Sequence, residues 1–307
     1  MTTTQPLILD IKGNSLDDGP GIRTVIFFKG CPLNCVWCHN PESKKSIVEL
    51  SFDGSKCIAC NTCLETCQPG CLSRTNLYFI DRKTCTLCMA CTKTCPSGAL
   101  SQVGNTMKIE DIVEVVLKDK PFFKTSGGGV TLSGGEPTFN MEYSSNLMQA
   151  LKAEGIHILV ETCGLFNLRK FRELIYPYAD IIYFDIKIMD PTLHKQYCGL
   201  SNEVILSNFC ELNRDYQQGG IQVLPRTPLI PGITDTIENL SALVEFYRTQ
   251  GVTKADLLSY NPLWHEKNTR IGIKNPLSAI DKMTQFADRK QEQECHRILA
   301  EAGIERC

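Results

Sequence analysis

Apolar residues fall in two alternating patterns along most of this chain. Short, nearly continuous apolar runs at Thr24–Phe28, Val130–Ser133, Ile156–Glu161, Asp180–Asp185, Ile221–Arg226 and Asp256–Tyr260 read as strands buried on both faces. Between and after them lie stretches near 141–154, 167–176, 203–217, 237–249 and 277–302 with helical character. Ile109, Ile112, Val113, Val116 and Leu117 stand at the spacing of one face of an amphipathic helix. Such alternation predicts an α/β fold of parallel strands joined by right-handed crossovers, with ligand-binding groups at the carboxyl ends of the strands. The six strand–helix units are too few for the usual eight-stranded barrel.

Between the first and second strands the pattern breaks, and cysteine replaces it. The chain has 17 cysteines, and many repeat as C-x2-C, a metal-ligating spacing rather than a disulfide framework. Cys57, Cys60, Cys63 and Cys67 form one run, and Cys85, Cys88, Cys91 and Cys95 form a second, displaced by 28 positions. This duplicated spacing matches bacterial ferredoxins, in which the last cysteine of each run ligates the other run's cluster. The expectation is one [4Fe–4S] cluster on Cys57, Cys60, Cys63 and Cys95, and another on Cys85, Cys88, Cys91 and Cys67. A pair of zinc sites is the alternative. The first run continues Gln68-Pro69-Gly70-Cys71, so Cys71 offers a competing thiolate. Residues 51–100 thus read as an insert within a domain made of 1–50 and 101–307. Cys71, Cys163, Cys198, Cys210, Cys295 and Cys307 read by default as buried small hydrophobes.

Charge changes the choice of partner. A net charge of -2 and a pI near 6.2 give no basic field for nucleic acid, which points to a protein or small molecule. Apolar runs such as Ile181-Ile182-Tyr183-Phe184 are too short to span a bilayer. Residues 1–10 have no signal-peptide pattern, so the expectation is a cytoplasmic protein, without membrane contact and monomeric.

The segment after the first strand holds the chemistry. Cys31, Cys35 and Cys38 stand as C-x3-C-x2-C, which can hold three irons of a cubane and leave the fourth open to a chelating ligand. A zinc knuckle is the bland alternative, but it needs a fourth ligand. This motif, with Trp37 just before its last cysteine, resembles the radical S-adenosylmethionine (SAM) superfamily. Asp18-Gly19-Pro20-Gly21-Ile22-Arg23 before it and Cys38-His39-Asn40-Pro41-Glu42 after it resemble the activating enzymes of glycyl radical enzymes, with a two-cluster ferredoxin-like insert.

The resemblance implies a partial (β/α)6 TIM-like barrel carrying the inserted ferredoxin-like domain. It implies that Trp37 lies against adenine, that Asn40 belongs to the cofactor site, and that Gly134, Gly135 and Glu136 contact the SAM amino group. Glu161 and Thr162 end the third strand. Asp185 is expected at the ribose and Lys187 at the methionyl carboxylate. An isolated Asp-x-Lys would otherwise be a surface pair. In the pyruvate formate-lyase activator the acidic-Thr and Asp positions also hold a monovalent cation, and Glu161 stands where that protein has aspartate. Asn261 stands where it has histidine, while nearby His265 reads as a loop residue. Arg226, in a segment resembling R-x-P-L-I-P-G, pairs with Asp18, orients a substrate carbonyl, or is an exposed turn residue. Gly127-Gly128-Gly129 reads as a flexible lead-in to its strand.

The implied activity is reductive cleavage of SAM to a 5′-deoxyadenosyl radical that takes hydrogen from a glycine of a partner enzyme in a transient complex. Cys31, Cys35, Cys38, Lys187 and Arg226 carry that chemistry, and flavodoxin or ferredoxin is the expected electron donor. Three [4Fe–4S] clusters and SAM are the expected cofactors. Two alternatives are a radical SAM enzyme with auxiliary clusters acting on another peptide or a metabolite, and a simple electron carrier.

Overall fold

The computed structural model describes residues 5–306. Cys307 lies outside them. The strands are β1 Leu7–Ser15, β2 Arg23–Lys29, β3 Glu49–Phe52, β4 Leu100–Val103, β5 Asn105–Thr106, β6 Gly129–Gly134, β7 Ile158–Thr162, β8 Ile181–Asp185, β9 Gln222–Pro228, β10 Lys254–Leu258 and β11 Glu305–Arg306. Nine of them form one sheet in the order β11-β10-β9-β8-β7-β6-β2-β1-β5. Neighbours from β2 through β11 run parallel, whereas β1 pairs antiparallel with both β2 and β5. The result is an α/β fold on a mostly parallel sheet.

The six expected strands are all present within a few residues of their expected bounds. Their residues need no alternation because both faces are covered: Ile26, Leu132, Val160, Ile182 and Phe184 are fully buried on one face, and Val25, Thr131, Leu159 and Leu224 are buried on the other. Local signals start those helices. Asn140 accepts from Tyr143 N, Asp190 from Leu193 N ahead of Pro191, and Thr236 from Asn239 N, each an N-cap.

Three local expectations are corrected. The stretch 277–302 is not one helix: it makes two short 3-10 turns, Pro276–Ala279 and Asp281–Thr284, before the helix Arg289–Glu301 capped by Asp288. The reason is tertiary, because Tyr260 Oη donates to Met283 O and His265 Nε2 lies 2.6 Å from the same carbonyl. The glycine triplet is no flexible lead-in. Gly127 caps the helix Lys120–Ser126 at φ +71°, and a Cβ at Gly128 would lie 1.8 Å from Ile22 O. Finally, β1 was not expected, although Leu9-Asp10-Ile11-Lys12 alternates with period two.

Between β3 and β4, which pair antiparallel as a separate two-stranded sheet, lie the two cysteine runs with a small core of their own around Leu50, Leu72, Phe79, Ile80 and Leu100. The repeat is structural as well as sequential. Helices Thr62–Thr66 and Ala90–Thr94 correspond, and each follows a left-handed pair, Ala59 and Asn61 in the first and Leu87 and Met89 in the second. Arg82 ties this unit to the rest, donating to Leu50 O, Arg270 O and Ile271 O. Among the described residues, no helix is long and apolar enough to cross a membrane.

Candidate functional site

The loop carrying Cys31, Cys35 and Cys38 leaves the carboxyl end of β2 and is pinned along its backbone. Gly30 N donates to Ser43 O and Cys31 N to Lys44 O, while Asn34 N and Val36 N donate to Cys198 O and Tyr197 O at the end of helix Pro191–Cys198. Asn275 Nδ2 closes the other side by donating to Val36 O. A side-chain hydrogen bond with Cys198, aided by the charges of Lys187 and Lys44, brings the Cys35 thiol down to about 7 despite its burial. Burial and the neighbouring Cys35 and Cys31 push Cys38 up to about 12. Three cysteines packed on one pinned loop, with the largely buried Lys187 ammonium acting on Cys35, are a donor set that fits an anionic iron–sulfur cluster.

A row of charges crosses the carboxyl ends of β6 to β9. Ser133 Oγ donates to Glu161 Oε2 at 2.5 Å, and Arg226 Nη1 donates to Glu161 Oε1 at 2.6 Å. Arg226 Nη2 reaches Asp185 Oδ1 at 3.1 Å, and Lys187 Nζ reaches Asp185 Oδ2 at 3.0 Å. Arg226 also lies over the Tyr183 ring, 4.7 Å from its centroid. Parallel register makes this row, since Asp185 on β8 stands level with Arg226 on β9. Burial opposes the charged forms of all three central groups, yet pairing prevails: Asp185 is lowered, and Lys187 and Arg226 are raised. Two carboxylates, Glu161 and Asp185, thus face two cations, Arg226 and Lys187. Arg226 pairs with these acids and not with Asp18, which instead accepts from Ser15 Oγ. It is buried, which also removes the exposed-turn reading.

Gly134 and Gly135 follow β6 where backbone must pass close to backbone. Gly134 has φ +104°, and a Cβ on Gly135 would lie 2.3 Å from Gly30 O. Glu136 is 2 % exposed, and its carboxylate accepts from Thr138 N, Thr138 Oγ1, Thr162 Oγ1 and Cys163 N. It is thus a brace holding the ends of β6 and β7 together, with both oxygens engaged.

The two cysteine runs come together crosswise. Cys57, Cys60, Cys63 and Cys95 line one hollow with Phe52 and Ala99. Burial, and then the neighbouring Cys85, Cys67 and Cys88, push the Cys91 thiol up to about 11. Each run has the same exposure order: its second cysteine is exposed and its third buried. Among the described residues, no three His, Cys, Asp or Glu side chains gather tightly enough for a single metal ion; a cubane instead spreads its thiolates over separate irons.

Other expected residues are placed differently. Trp37 is buried with its ring 6.2 Å from Tyr197. Asn40 Oδ1 accepts from Lys267 Nζ at 2.8 Å, and Lys267 also donates to His39 O. Asn261 is exposed and accepts from Leu263 N in its own turn. His265 lies on the helix Trp264–Arg270 and holds Ser278 and Met283. Sequence reasoning missed Cys163 and Cys198, buried thiols that Cys31 and Cys35 respectively, together with burial, push up. Nothing in their local sequence marks them, because each follows from a strand or helix ending beside the loop.

Residues 66–244 match the model of the Radical SAM superfamily. The chain is 36 % identical over 304 residues to the (2S)-3-sulfopropanediol dehydratase activating enzyme of Klebsiella oxytoca, covering 96 % of this chain and 93 % of that one. It is 35 % identical over 305 residues to the choline trimethylamine-lyase activating enzyme of Oleidesulfovibrio alaskensis, covering 97 % and 96 %. A radical SAM methyltransferase from Sphaerobacter thermophilus shares the fold, with TM-score 0.54, 14 % identity and coverage of 98 % of this chain and 76 % of that one. The chain belongs to the radical SAM superfamily, in its branch of glycyl radical enzyme activating enzymes. Membership implies SAM and a [4Fe–4S] cluster as cofactors.

Proposed function

We propose that this protein activates a partner glycyl radical enzyme by generating a radical on one of its glycines. The observation that carries the reading is the placement of the Cys31–Cys38 loop beside Lys187 and the Glu161–Arg226–Asp185 row, at the carboxyl ends of parallel strands. Relatives of nearly equal identity are named for different partner enzymes, and activation is what they share.

Cys31, Cys35 and Cys38 would hold the cluster, which would leave one iron for SAM. When bound, these cofactors supply one-electron cleavage of SAM to a 5′-deoxyadenosyl radical able to remove hydrogen from a glycine Cα. The chain's own part is orientation and exclusion of water. Lys187 takes the methionyl carboxylate, and Asp185, fixed by Arg226 and Lys187, faces the ribose. The backbone of Gly134 and Gly135 meets the amino group, with Glu136 and Thr162 holding that backbone in place. Trp37 gives the adenine an apolar wall.

The remaining roles belong to the same reading. The sheet is a partial (β/α)6 barrel, whose open side admits a single extended loop of the partner. Residues 51–100 are a ferredoxin-like insert with two further [4Fe–4S] clusters, for three in all. It passes electrons from flavodoxin or ferredoxin, and the activator works as a monomer in transient complexes.

The test mixes anaerobically reconstituted protein, reductant and SAM with a glycyl radical enzyme encoded nearby and records the electron paramagnetic resonance (EPR) spectrum. A glycine-centred doublet, absent when that glycine is replaced by alanine, is the expected result. Formation of 5′-deoxyadenosine only with a small metabolite, and no protein radical, overturns the proposal.

A further inference from the structure

The two cysteine runs superimpose in sequence except at one chemically decisive place. Ala99, four residues after Cys95, closes the hollow lined by Cys57, Cys60, Cys63 and Cys95. Its counterpart after Cys67 is Cys71, 5 % exposed, with Sγ 3.3 Å from Cys67 Sγ. Thiolates on separate irons of a cubane occupy separate corners, so sulfurs this close cannot both be ligands of one cluster. Cys67 holds the position equivalent to Cys95, whereas Cys71 holds that of an alanine, which cannot ligate. A protonated thiol at 3.3 Å from a cluster thiolate is placed to donate to it.

We propose that Cys71 is a positioning residue that donates an S–H hydrogen bond to the cluster ligand Cys67, and so makes the two insert clusters unequal in potential. Hydrogen bonds to cluster sulfurs stabilise the reduced, more negative state and raise the reduction potential. The cluster on Cys67, Cys85, Cys88 and Cys91 is then the easier of the two to reduce. Ala99 offers the other cluster a methyl group and no donor. The two halves of a duplicated motif thereby give electron transfer a direction.

This inference rests on the two-cluster reading of the insert, so iron is measured first on the reconstituted full chain. Iron near about four atoms per chain overturns that reading itself. With all clusters present, an EPR-monitored redox titration compares the parent with Cys71→Ala, Cys71→Ser and Ala99→Cys. The expected result is full iron content in Cys71→Ala with one midpoint shifted to more negative potential and the others unmoved. Cys71→Ser, which keeps a donor, shifts it less. Ala99→Cys raises the midpoint of the opposite insert cluster, and it carries the test should Cys71→Ala fail to fold. Unmoved midpoints in Cys71→Ala and Ala99→Cys overturn the proposal. So does loss of a cluster in Cys71→Ala but not in Cys67→Ala, which makes Cys71 the ligand.

Discussion

Arg226 Nη1 lies 2.6 Å from Glu161 Oε1, and both side chains are almost wholly removed from solvent. The same guanidinium reaches Asp185, so one cation on β9 holds acids on β7 and β8 level at the mouth of the sheet. Removing one partner of a buried pair leaves the other charge uncompensated. We expect Arg226→Met to destabilise the protein by about 3–5 kcal/mol, read from anaerobic urea denaturation. Arg226→Met combined with Glu161→Gln should recover part of that loss; a double variant as unstable as the sum of its singles would show that the pair is not coupled.

Lys187 is held by Asp185, whose carboxylate lies 3.0 Å from its Nζ. A charge-assisted hydrogen bond to the SAM carboxylate is worth about 1.5–3 kcal/mol. Lys187→Met should therefore weaken SAM binding roughly ten- to a hundredfold, measured by anaerobic calorimetry. Unchanged affinity would remove Lys187 from the SAM site.

Gly135 leaves no room for a side chain, since a Cβ would meet Gly30 O at 2.3 Å and Ser43 O at 2.9 Å. Both neighbours are backbone, so neither can step aside without shifting the cysteine loop. Gly135→Ala is expected to lower iron retention at the loop and SAM affinity together. Full retention of both would show that the β6 turn and the loop move independently.

The cysteine assignment predicts about twelve iron and twelve sulfide per chain after reconstitution, and about eight of each once Cys31, Cys35 and Cys38 are all alanine. That triple variant should not cleave SAM. An iron content of about four in the parent would leave the insert without clusters.

Cys60 is exposed in the hollow that it lines with Cys57, Cys63 and Cys95. If the insert passes electrons, Cys60→Ala slows activation by a flavodoxin or ferredoxin while leaving SAM affinity near that of the parent. Equal activation rates with every reductant would make the insert dispensable.

Much of this molecule is legible without coordinates. Continuous apolar runs specify doubly buried strands, and the 28-residue cysteine repeat specifies two matching turn-and-helix units, because both signals are local and repeat with the geometry they encode. The strands β2 and β6 to β10, the duplicated insert and the motifs at strand ends are of this kind. Other features were decided by tertiary structure alone. The partner of Arg226 depends on which strand ends lie level, and parallel register placed Glu161 and Asp185 there in preference to Asp18. The stretch 277–302 has helical residues, yet Tyr260 and His265 capture the Met283 carbonyl and break it. Cys163, Cys198 and Cys71 carry no mark in the sequence, and the fold alone buries them, Cys71 with its Sγ 3.3 Å from Cys67 Sγ. A hydrogen bond or ion pair is short-ranged, so its partner is set by the fold's packing and by no pattern along the chain.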